Sequence, residues 1–198
     1  MNTSASPIPR SKISSVRLSP SSSAPTELVF DRPFDAVAGR YVLQFIDDPA
    51  GALSKLTSRV RPGGPVVFHE NERDALTPRP CSPTYEMIAR WAMPAIEASG
   101  ASVHSGGQLG PVFTDAGLPN PNLRLEAPIA VGDQTEELIQ FTCDLVVTLL
   151  PTIERLGIAT AAEIDVATLA QRIRDEVREH NCVLVGRTQI GAWSQPPS

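Results

Sequence analysis

The chain has 198 residues, 41% of them hydrophobic and 20% charged, with a formal net charge of −5 and a pI near 5.2. That balance describes a globular chain long enough to bury a core of its own, and it argues against a general nucleic-acid binder, which would be basic. No apolar run approaches the roughly 20 residues of a membrane-spanning helix; the longest, Leu145 to Leu150, belongs to an amphipathic pattern.

Residues 1–26 hold nine serines, four prolines and three basic residues, with no acid before Glu27. This composition buries too little apolar surface to fold and predicts a disordered tail. An Arg/Ser-rich targeting peptide is the alternative, opposed by Pro7, Pro9, Pro20 and Pro25, which interrupt any amphipathic helix; a displaced gene start is a third. Leu28 to Phe30 lead towards a first strand over 35–42. Asp48 then suits a helix N-cap with Pro49 at the first helical position, and the helix is expected to bury Leu53, Leu56 and Val60. Pro65 to His69 reads as a second strand of β-branched and aromatic residues, followed by a polar, Pro-bearing loop over 71–80.

Ser82-Pro83 repeats the cap-plus-proline start. Its helix is expected to run to about Ser99, stop at Gly100, bury Met87, Ile88, Trp91 and Ile96, and kink at Pro94. A short helix near Gly107 to Ala116 ends at Gly117. Leu123 to Val131 alternates as a strand, with Pro128 marking an edge or an irregular end. Gln134 to Leu156 predicts a helix with Leu138, Phe141, Leu145, Thr148 and Leu149 along its buried stripe and a bend at Pro151. Thr160-Ala161-Ala162-Glu163 is a capping box before an amphipathic helix from Asp165 to Glu179 through Val166, Leu169, Ile173 and Val177. Cys182 to Gly186 and Gln189 to Trp193 are expected to close the sheet as one interrupted strand. Cys81, Cys143 and Cys182 are odd in number and far apart, and His69, His104 and His180 are scattered. The pattern gives neither a disulfide framework nor zinc spacing, and a reducing cytoplasm is the plain expectation.

The run from Phe34 to Glu70 reads strand, turn, helix, Gly-rich turn, strand, which is one parallel crossover of a doubly wound sheet. Ligands of such sheets sit outside the carboxyl ends of the strands. Phe34-Asp35-Ala36-Val37, Gly39-Arg40-Tyr41-Val42-Leu43, Asp48-Pro49 and Arg61-Pro62-Gly63-Gly64 together resemble the class I S-adenosylmethionine-dependent methyltransferases. The branch is the small-molecule type related to the ubiquinone and menaquinone methyltransferases. Similarity continues through Phe113-Thr114-Asp115-Ala116-Gly117-Leu118 to Gly191-Ala192-Trp193, so it covers residues 27–195 and only the later half of the family. The resemblance implies an α/β, Rossmann-like sheet of order 3-2-1-4-5-7-6. Here it would be N-terminally truncated to strands 4-5-7-6, with a helical insertion before the last strand. Strand 35–42 would then become an edge carrying Phe34, Val37, Val42 and Leu43, open to a second copy or to a complementing chain.

The same resemblance implies S-adenosylmethionine as cofactor and a small-molecule acceptor. Gly39, Arg40 and Tyr41, at the mouth of the family's fourth strand, would border the cofactor; otherwise Arg40 makes a structural ion pair and Tyr41 packs in the core. His69 and Glu70, at the end of the fifth strand, are the candidates for a base or an acceptor-orienting group; otherwise they are solvated residues after a strand. The loop His104 to Gln108 is one that can face the acceptor. Trp91 and Trp193 are expected in the core, and Gly63-Gly64 as a tight turn. The chain contains no GxGxxG loop, the family's nucleoside-binding element. The competing expectation is therefore a non-catalytic methyltransferase-like remnant that works through a protein partner.

Overall fold

The computed structural model describes residues 33–72 and 82–196; the Ser/Pro-rich segment 1–26 and most of the expected 71–80 loop lie outside them. Strands β1 (Val37–Arg40) and β2 (Val66–Asn71) run parallel, with Arg40 opposite His69, and helix α1 (Pro49–Thr57) makes the crossover. Strand β6 (Gln189–Ser194) lies antiparallel to β2, and β3 (Asn122–Glu126) antiparallel to β6. The sheet order is β1-β2-β6-β3, with β1 and β3 at the edges. This is a mixed α/β sheet in the order expected of these four strands, and the helices inserted between β3 and β6 are present.

Local chemistry explains the crossover. Asp48 accepts the Gly51 N–H at 2.8 Å and Pro49 opens α1. In the turn into β2, the Gly64 N–H donates to the Arg61 carbonyl at 2.9 Å. Gly63 sits at φ +71°, the turn position where only a residue without Cβ is unstrained. Gly64 is needed for a different reason: a Cβ there would stand 2.7 Å from the Asp35 carbonyl oxygen. The Arg-Pro-Gly-Gly sequence therefore encodes a turn that presses against the entry to β1.

Cross-strand partners share a sheet face. One face presents Val66, Phe68, Glu70 and Ala192, all buried, together with Leu53 of α1 and Leu109, Val112 and Phe113 of α3 (Leu109–Asp115). The other carries Ala38, Arg40, Val67, His69, Arg124 and Trp193, with Val67 39% and Trp193 42% exposed. Trp193 is thus a surface residue, against the expectation that it lies in the core, while Trp91 is buried as expected.

A second buried cluster is built by α2 (Pro83–Glu97), α4 (Glu136–Arg155) and α6 (Val166–His180). The expected capping box at Thr160 opens the short helix α5 (Ala161–Ile164), which leads into α6. α2 starts at Ser82, which accepts the Tyr85 N–H at 3.1 Å, and buries Ile88, Trp91, Ala92 and Ala95, leaving Met87 exposed. α4 buries Ile139, Thr142, Cys143, Val146 and Ile153, while Phe141 is 57% exposed. Its core stripe is therefore rotated by about one residue from the expected one. The expected strand 123–131 is two: β3, and β4 (Ile129–Val131), which leaves the main sheet after Pro128 and pairs with β5 (Val183–Val185). β5 and β6 are thus not one interrupted strand. Cys143 is free and buried, whereas Cys182 is disulfide-bonded, so three unpaired thiols do not describe this chain.

Glu176 of α6 ties the two ends of this cluster together. It accepts from the Ser82 hydroxyl, from the Thr84 hydroxyl at 2.6 Å and from the Thr84 N–H at 3.1 Å. Burial opposes its ionisation, but the hydrogen bonds from Ser82 and Thr84 prevail and hold the carboxyl below its usual range. A depressed carboxylate stabilises the fold above its unfolded pKa, and that contribution is lost as pH falls through the folded one. Glu176→Gln is expected to lose about 1–2 kcal/mol near neutral pH. The difference from the parent chain should close in acid, as urea melts across pH would show.

Candidate active site at the carboxyl edge of the sheet

β1, β2 and β3 run the same way, so their carboxyl ends, and the start of the antiparallel β6, meet at one edge of the sheet. The chain leaves β1 through Tyr41, whose φ of +56° is left-handed and therefore strained for a residue with a side chain. Two contacts hold it there. Its N–H donates to the His69 carbonyl at 2.9 Å, and its ring stacks on the His69 imidazole at 6.0 Å with planes 23° apart. The Arg40 guanidinium lies 4.8 Å over the same ring and donates to the Tyr41 hydroxyl at 3.1 Å and to Gln189 Oε1 at 3.3 Å. Arg40, Tyr41 and His69, expected from sequence at two strand ends, thus come together as one group.

Glu70 does not join them. It lies inside β2 on the buried face, fully enclosed, where a solvated or substrate-facing carboxylate was expected. Its Oε1 accepts the Val42 N–H at 3.0 Å and the Leu43 N–H at 2.9 Å, and among the described residues its Oε2 has no hydrogen-bond partner. Burial raises its pKa, opposed by the Leu43 and Val42 amides. Glu70 anchors the turn after β1, at the start of the 3-10 turn Leu43–Phe45. Gly39 also faces the buried side. A Cβ on it would stand 2.3 Å from Phe68 Cε1, so the glycine makes room for that ring.

A second layer of polar bonds joins the strand ends to the loop after α2. Asn71 Nδ2 donates to Gln44 Oε1 at 3.0 Å, and the Gly106 N–H donates to the Asn71 carbonyl at 2.8 Å. Glu72 accepts the Gly107 N–H at 2.5 Å and lies 3.2 Å from His104 Nδ1. The 104–108 loop is therefore fastened to the end of β2, with His104 paired to a carboxylate.

Beside Arg40 opens a cleft of about 590 Å³, lined among others by Arg40, His69, Arg124, Glu126, Pro128 and Gln189. Burial, and then the positive charge of Arg40, lower the His69 pKa, which favours the neutral imidazole. Its Nε2 is buried with no partner among the described residues. A neutral imidazole with a free nitrogen is chemically suited to take or orient a proton. Arg124, Glu126 and Gln189 escaped the sequence reading; the signal for the first two was the polar alternation of Asn122-Leu123-Arg124-Leu125-Glu126. Among the described residues no group of His, Cys, Asp and Glu could hold a metal ion, and no helix is long and apolar enough to cross a membrane.

The chain belongs to the methyltransferase-domain family: the family model matches residues 5–120, more than half of its length. The match begins within the Ser/Pro-rich segment and ends before β3. No curated protein sequence matches the chain. Among solved structures it is similar to phosphoethanolamine N-methyltransferase 2 of Haemonchus contortus at 13% identity and a TM-score of 0.40, covering 83% of this chain and 34% of that one. It is similar to a Bacillus halodurans protein at 11% identity and a TM-score of 0.48, covering 87% and 68%. It is similar to geranyl diphosphate C-methyltransferase of Streptomyces coelicolor at 14% identity and a TM-score of 0.38, covering 84% and 49%. The chain spans about a third of the first of these, and the family assignment rests on the family model.

Proposed function

We propose that this chain forms the acceptor side of an S-adenosylmethionine-dependent methyltransferase site for a small molecule. The observation that carries the reading is the grouping of Arg40, Tyr41 and His69 at the carboxyl edge of the sheet, in a chain of the methyltransferase-domain family. The cofactor, when bound, supplies a methyl group activated on a sulfonium, which leaves positioning as the protein's main task. The described residues fit its amino-acid end. The Tyr41 ring offers an aromatic surface to a cationic centre, and the Arg40 guanidinium, 4.8 Å over that ring, holds it in place. Gly39 takes part only through the backbone it gives to β1. His69 orients the acceptor, or takes its proton where the acceptor loses one; Glu70 acts through the turn it anchors.

Calorimetric titration of the whole chain with S-adenosylmethionine tests this. The expected result is micromolar binding, weakened roughly tenfold, or ~1.4 kcal/mol, by Arg40→Gln. No heat at millimolar cofactor overturns the active reading.

A second reading has its own observations in support. Among the described residues no strand pairs with the outer edge of β1, and Ala38, Val67 and Trp193 are exposed on one sheet face. The sequence also lacks the Gly-rich loop. On this reading the chain is a methyltransferase-like subunit that pairs through strand 35–42 with a second copy or a complementing chain. Light scattering on the eluting chain decides: a stable monomer with no cofactor heat removes both readings of the edge.

A further inference from the structure

We propose that the cleft between Arg40 and Arg124 holds the oxyanion, a carboxylate or a phosphate, of the molecule that is methylated. The proposal deepens the reading of this edge as an acceptor site and rests on it for the word acceptor; the binding of an oxyanion stands on the cleft alone.

The register places Arg40 opposite His69, His69 opposite Gly191, and Gly191 opposite Arg124. These four positions form one row across four strands and share a sheet face. With neighbouring strands roughly 4.8 Å apart, the two arginine backbones stand about 14 Å from each other, and both guanidiniums lean to the next row, Arg40 to Gln189 and Arg124 to Glu126, two residues that are themselves cross-strand partners. At its Gly191 position the first row is empty for no packing reason. At Gly39 and Gly64 an added Cβ would meet neighbours at 2.3 and 2.5 Å, whereas at Gly191 the nearest are His69 Cδ2 at 3.8 Å and the Arg124 carbonyl oxygen at 3.9 Å. Gly191 is also absent from the glycines with positive φ. Neither crowding nor backbone conformation calls for a glycine here, and having one leaves the row without a side chain between His69 and Arg124.

The charge of the cleft is opposite to that of the chain. Among the described residues Arg40 donates to neutral groups, the Tyr41 hydroxyl and Gln189, so its charge is uncompensated by them. Arg124 lies 3.0 Å from Glu126, but the side chains are 72% and 49% exposed, and such a surface pair is weak and easily exchanged. Two guanidiniums thus face one carboxylate on a chain whose net charge is −5. His69 Nε2, buried and without a partner among the described residues, adds a nitrogen on the same row. Guanidinium forks match carboxylate and phosphate oxygens in pairs, and the single excess positive charge suits one oxyanion.

The test uses the full chain without cofactor, so that its outcome is separate from that of the calorimetric titration above. Inorganic phosphate and acetate are titrated in turn while the histidine side-chain resonances are followed by NMR. The expected result is a saturable shift of His69 with at least one of the two anions, and the tighter anion names the acceptor's group. Arg40→Gln and Arg124→Gln should each weaken binding roughly tenfold, with circular dichroism and melting temperatures showing that both variants remain folded. No saturable shift with either anion up to tens of millimolar overturns the proposal. So does a shift that is unchanged in the Arg40→Gln, Arg124→Gln double variant, which would mean an adventitious ion only. If the anion binds and the cofactor does not, the oxyanion site stands and the methyltransferase reading falls.

Discussion

Replacing Glu70 by alanine is expected to destabilise the chain by about 2–4 kcal/mol, because the Val42 and Leu43 amides lose their acceptor inside a closed site. For a domain of this size that lowers the melting temperature by on the order of 10 °C. Glu70→Gln should behave differently, since a glutamine oxygen can accept from both amides. The pH dependence separates the two roles of the carboxyl. Burial raises its pKa in the folded chain, so the folded state prefers the proton. Stability from this group is full below the unfolded value near 4.5 and is lost as pH rises through the raised one. The parent chain should therefore weaken across that window, while Glu70→Gln, which cannot ionise, should not. Urea melts between pH 4 and 8 measure this. Equal slopes for the two proteins would show that Glu70 is not the buried acid described here. Because Tyr41 follows the same turn, Glu70→Ala should also disturb the Tyr41–His69 stack, visible in the His69 resonances.

The second large effect is expected at the pair Gly39 and Phe68. Phe68 is 2% exposed and meets Phe113 edge to face, with ring centroids 6.3 Å apart. Phe68→Ala should cost about 3–5 kcal/mol through lost burial and the cavity left behind. Gly39→Ala should cost about 1–3 kcal/mol, since its Cβ would overlap the ring. Together the two substitutions should cost less than their sum, because the methyl of one enters space vacated by the other. Denaturant melts of the four proteins of this cycle measure the coupling; additive losses would mean that the two residues do not compete for the same space.

The parts of the fold that could be read from sequence are those written in a few adjacent residues. Asp48-Pro49, Ser82-Pro83 and the Thr160 to Glu163 box each carry their own cap, and Arg61-Pro62-Gly63-Gly64 carries its own turn. What escaped depends on residues far away. α4 is apolar on much of its circumference, so its period gives a helix but not which side meets α2 and α6; that is decided by packing, and it selects Ile139, Cys143 and Val146 over Phe141. β4 and β5 are three residues each, separated by the whole helical insertion, and neither is a convincing strand alone. Val-Val-Phe-His-Glu-Asn looks like a strand fading into a polar loop. Only the amides of Val42 and Leu43, some 27 positions earlier, show why Glu70 is inside. Of the candidate site, the meeting of Arg40, Tyr41 and His69 could be expected because they stand at the ends of two parallel strands joined by one crossover. Arg124 and Gln189 could not, because which strand lies next to which cannot be seen in the order of the residues.

The apolar interior is divided. One cluster gathers around Phe68 and Phe113 under the sheet, the other around Ile139, Leu169 and Ile173 between the helices, and they have no residue in common. Separate interiors permit separate opening. Backbone amides of α4 and α6 are then expected to exchange with solvent deuterium as one set and those of β2 and β6 as another, each with its own free energy.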